Sequence, residues 1–597
     1  MRIALGCMRL STEPDRDEAS AMATLHAALD AGFDTLDTAH AYGLGADDLG
    51  HNERLVARAL RARRERAETT NVRVITKCGM RRDGGAWVPD NRASSILVDA
   101  RASVDALGGA PLDLLLLHAP ERGGSLGTAA RALARARAEG LARNVGVSNV
   151  TRKQLEEVAA VVTVTAVEVA LGAYDDLAIR NGVAAYCIEH GIELLAHAPL
   201  GGPRRVGRLA HDATLRRIAE ARGGHTPIEV FLAYLLAVRP EIVPVVGVRR
   251  PETVASLVRA AQLTLDELEL AAIDARFPGL GSLRRPLQPP TSAHATSREV
   301  VILMGVPGAG KSRAAQAYVA RGYERLNRDT LGGTLRGIVQ RLDERLRDGA
   351  ERIVLDNTYV TRATRHDVLR KANAHGVPVR CVFFDTPQHE ANINVVNRML
   401  ERFGKLIGPT DIGVPAELDP AAPPPSAVQR MTRDLEPPAD DEGFAAIEIV
   451  TFVRAHGSTG DRASIAIALD GLKALMGSAQ DMARLAAMVK ELAGDAEPPV
   501  VLLYGWRPTL AEATRDLAAR VARQLVRVTG DAVDVSICRH PVGPVVCWCR
   551  PPLPGLWLAF ARRHGVDVRR SVLLGARTTD AAMARALGLT YVRHDDA

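Results

Sequence analysis

Three absences narrow the reading of this sequence before any motif is considered. It has no uninterrupted apolar run long enough to cross a bilayer, which argues against membrane insertion. It opens with Met1-Arg2-Ile3-Ala4-Leu5-Gly6, a strand-like segment without the charged and apolar regions of a secretory leader. It also lacks a disulfide framework: of seven cysteines, Cys7, Cys78, Cys187 and Cys381 are scattered and only Cys538, Cys547 and Cys549 cluster, a usage that suits a reducing compartment. Together these absences predict a cytoplasmic protein with no membrane partner. What is present is a chain of 597 residues, too long for one hydrophobic core, with apolar and charged fractions of 47% and 24% that are ordinary for globular domains. The net charge of +6 is compatible with a polyanionic partner, although arginine-rich composition alone gives the same number.

The motifs divide the chain into an α/β, multidomain arrangement: a barrel over residues 1–280, a linker over 281–296, a P-loop domain over 297–456 and a third domain over 457–597. The linker rests on Leu283 to His294, which is rich in proline and small polar residues and has no apolar periodicity. In the first domain, strand-like runs alternate with helical patterns: 3–7, 35–37, 72–77, 112–118, 145–148, 166–170, 193–197 and 242–246. Eight such strands predict a (β/α)8 TIM barrel, whose chemistry collects at the C-terminal strand ends. Asp37, Tyr42, Lys77 and His118 fall there, four residue types able to reduce a carbonyl. A free tyrosine is a poor acid at neutral pH, so a neighbouring ammonium, Lys77 held by Asp37, is expected to lower its pKa. Tyr42 would then protonate the alkoxide while His118 orients the carbonyl.

Asp37-Thr38-Ala39-His40-Ala41-Tyr42-Gly43, Ile75-Thr76-Lys77 and Leu117-His118 resemble the catalytic motifs of aldo-keto reductases. The resemblance implies NADPH as cofactor and a small carbonyl substrate. It also implies that Ser148 and Asn149 hold the nicotinamide carboxamide and that Arg249 and Arg250 face the adenosine 2′-phosphate. Glu168 stands where that family usually has a carboxamide-binding glutamine, and His197 where an aromatic residue commonly stacks on the nicotinamide.

The P-loop domain opens with the apolar run Val300–Met304, then Gly305-Val306-Pro307-Gly308-Ala309-Gly310-Lys311-Ser312, then a helical pattern. A strand ending in such a turn directs backbone N–H groups at a phosphate, with Lys311 on the outer phosphates and Ser312 on Mg²⁺. Gly305, Gly308 and Gly310 keep that approach open. ATP is the expected nucleotide. Asp329 follows the next strand, at a sheet edge where ligands sit, and can accept an alcohol proton. Arg362, Arg365, Arg370 and Lys371 form a basic helix that either meets phosphates or is a solvated face.

The order Gly-x-Pro-Gly-Ala-Gly-Lys-Ser, Asn327-Arg328-Asp329-Thr330-Leu331-Gly332 and Asp356-Asn357-Thr358 resembles polynucleotide 5′-kinases of the phage and animal type, as do Asn397-Arg398 and the segment closing at Phe444. The resemblance implies that 5′-hydroxyl ends of DNA or RNA are the acceptor, Asp329 the general base, and Lys311 and Arg398 the cations on the transferring phosphoryl group. A proline-rich segment, Gly408 to Pro425, departs from that pattern.

In the last domain, Cys538, His540, Cys547 and Cys549 supply three thiolates and an imidazole, the ligand set of a closed Zn²⁺ site. Ile465 to Gly471, Leu553 to Leu556 and Leu573 to Asp580 resemble haloacid-dehalogenase (HAD) phosphatases of the zinc-bearing histidinol-phosphate and heptose-bisphosphate branch, which implies a HAD-like Rossmannoid fold. Ala468 occupies the position of the nucleophilic aspartate, Pro551 that of a lysine and Ala576 that of a metal-binding aspartate, leaving only the acid–base position, Asp470. The expectation is a pseudophosphatase. The whole is expected to be a nucleic-acid end-healing kinase fused to a carbonyl reductase, the alternatives being a small-molecule kinase fused to a reductase, or a repair scaffold in which only the kinase is active.

Overall fold

A computed structural model of the chain describes residues 1–66, 71–121, 125–284, 298–407, 423–454, 460–469, 479–493, 499–509, 512–530, 533–541, 545 and 547–593. The chain divides into two compact units, Met1–Thr291 with Arg362–Asp367, and Ser292–Thr361 with Val368–Ala597. No helix among the described residues is long and apolar enough to cross a membrane.

The first unit holds strands β1 (Ala4–Gly6), β2 (Thr35–Asp37), β3 (Arg73–Cys78), β4 (Met80–Asp83), β5 (Ala86–Pro89), β6 (Leu112–Leu117), β7 (Ala142–Ser148), β8 (Ala166–Ala170), β9 (Glu193–His197) and β10 (Ile242–Gly247). Strands β4 and β5 form an antiparallel hairpin, and the other eight close into a parallel barrel in the order β1-β10-β9-β8-β7-β6-β3-β2. All eight expected barrel strands are present, with ends displaced by no more than a few residues. The barrel strands are apolar on both faces because one face meets the helices and the other fills the interior, where Ala4, Ile75, Leu114, Leu116, Ala166, Leu195 and Val245 pack together. Gly146 is required where β7 meets β8: a Cβ there would lie 2.1 Å from the Ala166 carbonyl oxygen. Helix starts follow local chemistry, as at Pro227–Val238, where Thr226 and Glu229 form a capping box ahead of Pro227. Such a cap stabilises a helix by about 1 kcal/mol. The helix Pro278–Arg284 buries Leu280 and Leu283. The rest of the linker segment, residues 285–296, lies outside the described residues.

The second unit contains two five-stranded parallel sheets. The first is built from β11 (Glu299–Met304), β12 (Glu324–Leu326), β13 (Arg352–Asp356), β14 (Val379–Asp385) and β15 (Ala446–Thr451), in the order β12-β13-β11-β14-β15. The central strand β11 buries Val300, Val301, Ile302, Leu303 and Met304 completely. At about 2 kcal/mol per buried apolar side chain, that fixes the strand leading into the P-loop far more firmly than local propensity could. The second sheet is built from β16 (Arg462–Ala468), β17 (Val500–Trp506), β18 (Val533–Cys538), β19 (Val566–Gly575) and β20 (Thr590–Arg593), in the order β18-β17-β16-β19-β20. Asp470 and most of the proline-rich segment, residues 408–422, lie outside the described residues.

Candidate active sites and candidate metal centre

In the barrel, Asp37 ends β2, Lys77 is next to last in β3, His118 follows β6 directly, and Tyr42 lies in the turn after β2. The strand ends therefore bring the four expected residues together. Lys77 Nζ donates to Asp37 Oδ1 at 2.5 Å, to the Thr38 carbonyl at 3.1 Å and to Tyr42 Oη at 3.3 Å. The Tyr42 and His118 rings meet edge to face, 5.7 Å between centroids. Glu168, in β8, adds a second carboxylate at 3.1 Å from Lys77 Nζ. The buried ammonium is thus shared by two carboxylates. Burial and the charge of Glu168 raise the Asp37 carboxyl to about 7, against the opposing pull of Lys77. Burial also opposes the charge of Lys77, but Asp37 and Glu168 outweigh it and hold the ammonium protonated.

One expectation is corrected here. Lys77 does lower the Tyr42 pKa, but burial exceeds that effect, and Asp37 and Glu168 add to it, so the phenol lies above its ordinary value. His118 is lowered to about 3 by burial and by the Lys77 and His197 charges, and is therefore neutral across the physiological range.

The expected carboxamide-binding residues also converge. Asn149, in the left-handed conformation with φ of 58°, donates from Nδ2 to the His118 carbonyl at 3.1 Å and to Ser148 Oγ at 3.0 Å. Its Oδ1 lies 3.0 Å from His197 Nε2, which assigns the proton to that ring nitrogen. Burial and the Lys77 charge lower His197 to about 4, so it is neutral. His118 Nδ1 is buried without a hydrogen-bond partner among the described residues, a group left for a ligand. Beyond β10, Arg249 pairs with Asp15 at 2.9 Å, while Arg250 is exposed at the start of the helix Pro251–Gln262, whose first N–H groups favour an anion. These residues fit a phosphorylated nicotinamide cofactor.

At the P-loop, Gly305, Gly308 and Gly310 have φ of 154°, 85° and 100°. A Cβ on Gly308 would lie 2.3 Å from the Ala391 carbonyl oxygen, so the turn sits directly against the helix Gln388–Phe403. Lys311 begins the helix Lys311–Ala320 and donates from Nζ to the carbonyls of Gly305 and Val306 at 2.8 and 2.9 Å. Burial lowers it to about 8, Arg398 acts in the same direction, and Asp356 and Asp329 oppose. Ser312 is exposed in the first turn of that helix, where it can reach a cation beside bound phosphates. Asn327 and Asn357 tie the ends of β12 and β13: Asn357 Nδ2 donates to the Leu326 carbonyl at 3.3 Å and Asn357 Oδ1 accepts from the Arg328 N–H at 2.9 Å. That tie places Asp329 on the short helix Arg328–Leu331, exposed and 3.7 Å from Arg328. On the expected basic helix, Lys371 is instead bound to Asp343 at 2.9 Å, and Arg365 is buried. Neither presents a free cation to a strand.

Cys538, His540, Cys547 and Cys549 gather at the end of β18, all their ligand atoms within 4.8 Å of one another. The Cys538 sulfur lies 3.7 Å from that of Cys547 and 3.4 Å from that of Cys549, and His540 Nδ1 is 3.2 Å from Cys549. A tetrahedron with arms of about 2.3 Å has edges of about 3.8 Å, so the four residues fit Zn²⁺. Ala468, at the end of β16, is buried in an apolar cluster with Leu502, Tyr504 and Trp557. Beside it Asp580 accepts from Tyr504 Oη at 3.2 Å and from the Arg577 N–H at 3.0 Å.

Trp87 and Asn394 have no place in the motifs read from the sequence, and Asp356 stands there only as part of a motif, without a role. Trp87, on β5, lies 6.0 Å from Tyr42 and 5.8 Å from His118 and forms an aromatic wall beside the tetrad. Its signal was the Gly84-Gly85 turn between two short alternating runs. Asp356, the carboxylate with the largest effect on Lys311, is buried at the end of β13 and held by Arg325 at 3.1 Å. The sheet-edge argument that selected Asp329 applied to it equally. Asn394 donates from Nδ2 to the Gly308 carbonyl at 2.9 Å, a contact with no short-range sequence signal.

A closed parallel barrel with Tyr42, Lys77, Asp37 and His118 at its strand ends defines a carbonyl-reductase type of site, and comparison with known proteins agrees. The aldo/keto reductase family model matches residues 2–276, and a model described as an AAA domain matches residues 300–438. The chain is similar to a 6-dehydroglucose reductase of Agrobacterium fabrum, 29% identical over 282 residues, 44% of this chain and 90% of that protein. To an aldo-keto reductase of Mycolicibacterium smegmatis it is 30% identical over 257 residues, 42% of this chain and 81% of that one. The chain belongs to the aldo/keto reductase family, with a P-loop domain fused behind the barrel. It is also similar to a bifunctional polynucleotide phosphatase/kinase of Schizosaccharomyces pombe, 27% identical over 156 residues, and spans 34% of that protein's length.

Proposed function

We propose that the chain joins an NADPH-dependent carbonyl reductase to an ATP-dependent kinase acting on 5′-hydroxyl ends of nucleic acids, followed by a zinc-bearing HAD-like module that has lost phosphatase chemistry. The observation that carries the kinase reading is the P-loop turn itself, with Gly305, Gly308 and Gly310 at positive φ, Lys311 opening the helix behind it, and exposed Asp329 on the short helix tied to the neighbouring strand end by Asn357. Phosphoryl transfer needs positioning and charge neutralisation more than covalent participation. Lys311 and Arg398 neutralise the transferring group, Ser312 would hold Mg²⁺, and exposed Asp329 accepts the proton of an alcohol arriving from solvent. An acceptor strand should make the rate fall steeply with salt, whereas a nucleoside or sugar acceptor would leave it nearly flat.

In the barrel, Ser148, Asn149, Glu168 and Arg250 would hold the nicotinamide cofactor, which when bound supplies hydride to a carbonyl. Neutral His118 orients the carbonyl oxygen, and Tyr42 gives its proton to the alkoxide. An alkoxide is more basic than a phenolate, so a phenol of raised pKa still transfers that proton downhill. Trp87 closes one side of the substrate space. Titration of cofactor fluorescence tests this reading, and absence of binding would refute it.

Glu168 gives the reductase a pH dependence. As pH falls through about 7, Asp37 takes up a proton and one negative charge near Tyr42 disappears, easing its role as acid. Reduction should be faster below pH 7 than above it. In Glu168→Gln that inflection should move to lower pH in the profile of kcat/KM, because Asp37 keeps the burial that raises it but loses the like charge of Glu168. An unchanged inflection would show that Glu168 has no part in it.

Metal analysis should find one zinc per chain, lost when Cys547 and Cys549 are both replaced by serine, with no phosphatase turnover on 3′-phosphate ends or small phosphate esters. A rate that vanished in Asp470→Ala would reveal another nucleophile and end the pseudophosphatase reading.

A further inference from the structure

The helix Gln388–Phe403 has two occupied faces. Ala391, Asn394, Val395 and Arg398 follow the i, i+3, i+4, i+7 spacing of one helical stripe. On that stripe Ala391 packs with Val306 and Ala309 of the P-loop, Asn394 donates to the Gly308 carbonyl, and Arg398 bears on Lys311. On the other side Ile393 enters the core of the last sheet domain, among Ala468, Leu502 and Trp557. Val396, Met399 and Leu400 pack around Trp548. Arg454 locks the first turn of the helix, binding Glu390 at 2.8 Å and the carbonyls of Ala586 and Leu587 at 2.9 and 3.2 Å. Trp548 stands between the metal ligands Cys547 and Cys549. It is almost wholly buried, and its indole Nε1 donates to the Pro423 carbonyl at 2.9 Å, just ahead of the helix Pro425–Arg433.

We propose that the zinc-bearing tail is the platform that positions Arg398 and Asn394 over the P-loop, with Trp548 as the positioning residue that links the metal cluster to the helix carrying them. The proposal rests on the phosphoryl-transfer reading of the P-loop site. It gives the tail a task that needs neither the missing nucleophile nor any phosphatase activity. Two ligands flanking Trp548 fix its backbone when metal is bound, and the indole transmits that geometry to Val396 and Leu400, two residues from Arg398 on either side. A small displacement of a transition-state cation costs turnover more than it costs binding, because the cation acts on the charge that develops during transfer.

The test uses the full chain and compares the unmodified protein with Trp548→Ala and Trp548→Phe. Two measurements are made: amide hydrogen exchange across residues 388–403 and 305–312, and steady-state phosphoryl transfer. Trp548→Ala should lose exchange protection in both segments and lower kcat on the order of 100-fold with little change in acceptor KM. Trp548→Phe, which keeps a ring in the cluster, should restore most of both. Zinc removal from the unmodified protein should reproduce the exchange pattern of Trp548→Ala, and nicotinamide-dependent reduction should be unaffected throughout. If residues 388–403 stay protected and kcat stays normal in Trp548→Ala, even with the tail unfolded, the platform is refuted while the kinase reading stands. If the unmodified protein transfers phosphate to no 5′-hydroxyl end, the kinase reading fails, and the exchange comparison still decides whether Trp548 holds the helix.

Discussion

Lys311→Ala is expected to abolish phosphate transfer to a 5′-hydroxyl end, with a fall in kcat on the order of a thousandfold or more. Its ammonium is the cation nearest the P-loop turn, where two carbonyls already hold it at 2.8 and 2.9 Å. Alanine also removes the cation from the phosphate site while Asp356 stays buried and held by Arg325, so nucleotide affinity should drop as well. Because the Lys311 pKa is lowered to about 8, the charge of the free protein is lost as pH rises through that value. Nucleotide binding near pH 8 should therefore take up protons. Asp329→Ala, by contrast, should keep nucleotide affinity and lose turnover by on the order of 100- to 10,000-fold, the range for removing a general base. Radiolabel transfer from γ-labelled ATP, with nucleotide binding measured in parallel, checks both. A wild-type rate in Asp329→Ala would remove Asp329 from the mechanism.

The second large effect is expected in the barrel. Tyr42→Phe removes the phenolic proton and little volume, so the edge-to-face contacts with His118 and Trp87 can persist and the fold should be undisturbed. Carbonyl reduction should fall by on the order of 100- to 10,000-fold while cofactor affinity and phosphate transfer remain. The buried Lys77 would lose a contact at 3.3 Å but retain Asp37 and Glu168, which hold its charge. Stopped-flow or steady-state oxidation of the nicotinamide with a panel of aldehydes is the measurement. Residual turnover near the wild-type rate would place the proton donor elsewhere.

The barrel was legible because its strands are largely apolar and alternate with helical patterns, so neither the number of strands nor the place of the tetrad at their ends depended on long-range detail. The P-loop was legible for a similar reason: a buried strand, a glycine turn and a helix follow one another without interruption. What escaped was whatever depends on distant segments meeting. The closeness of Glu168 to Lys77 requires β8 and β3 to face each other across the barrel interior, and nothing local encodes it. The Tyr42 pKa was misjudged because residue types reveal the favourable charge of Lys77 but not the depth of burial that opposes it. The gathering of Cys538, His540, Cys547 and Cys549 was readable from ligand spacing alone. That Trp548, inside the same motif, packs against the helix bearing Arg398 was not, since the two lie about 150 residues apart in the chain.

The most direct measurement is transfer of the labelled γ-phosphate of ATP to 5′-hydroxyl DNA and RNA oligonucleotides, run beside nucleosides and sugars as competing acceptors, at low and high salt. Label confined to oligonucleotide 5′ ends, dependent on Lys311 and Asp329 and falling steeply with salt, is the predicted result. Label on small acceptors alone, at a rate indifferent to salt, would contradict it.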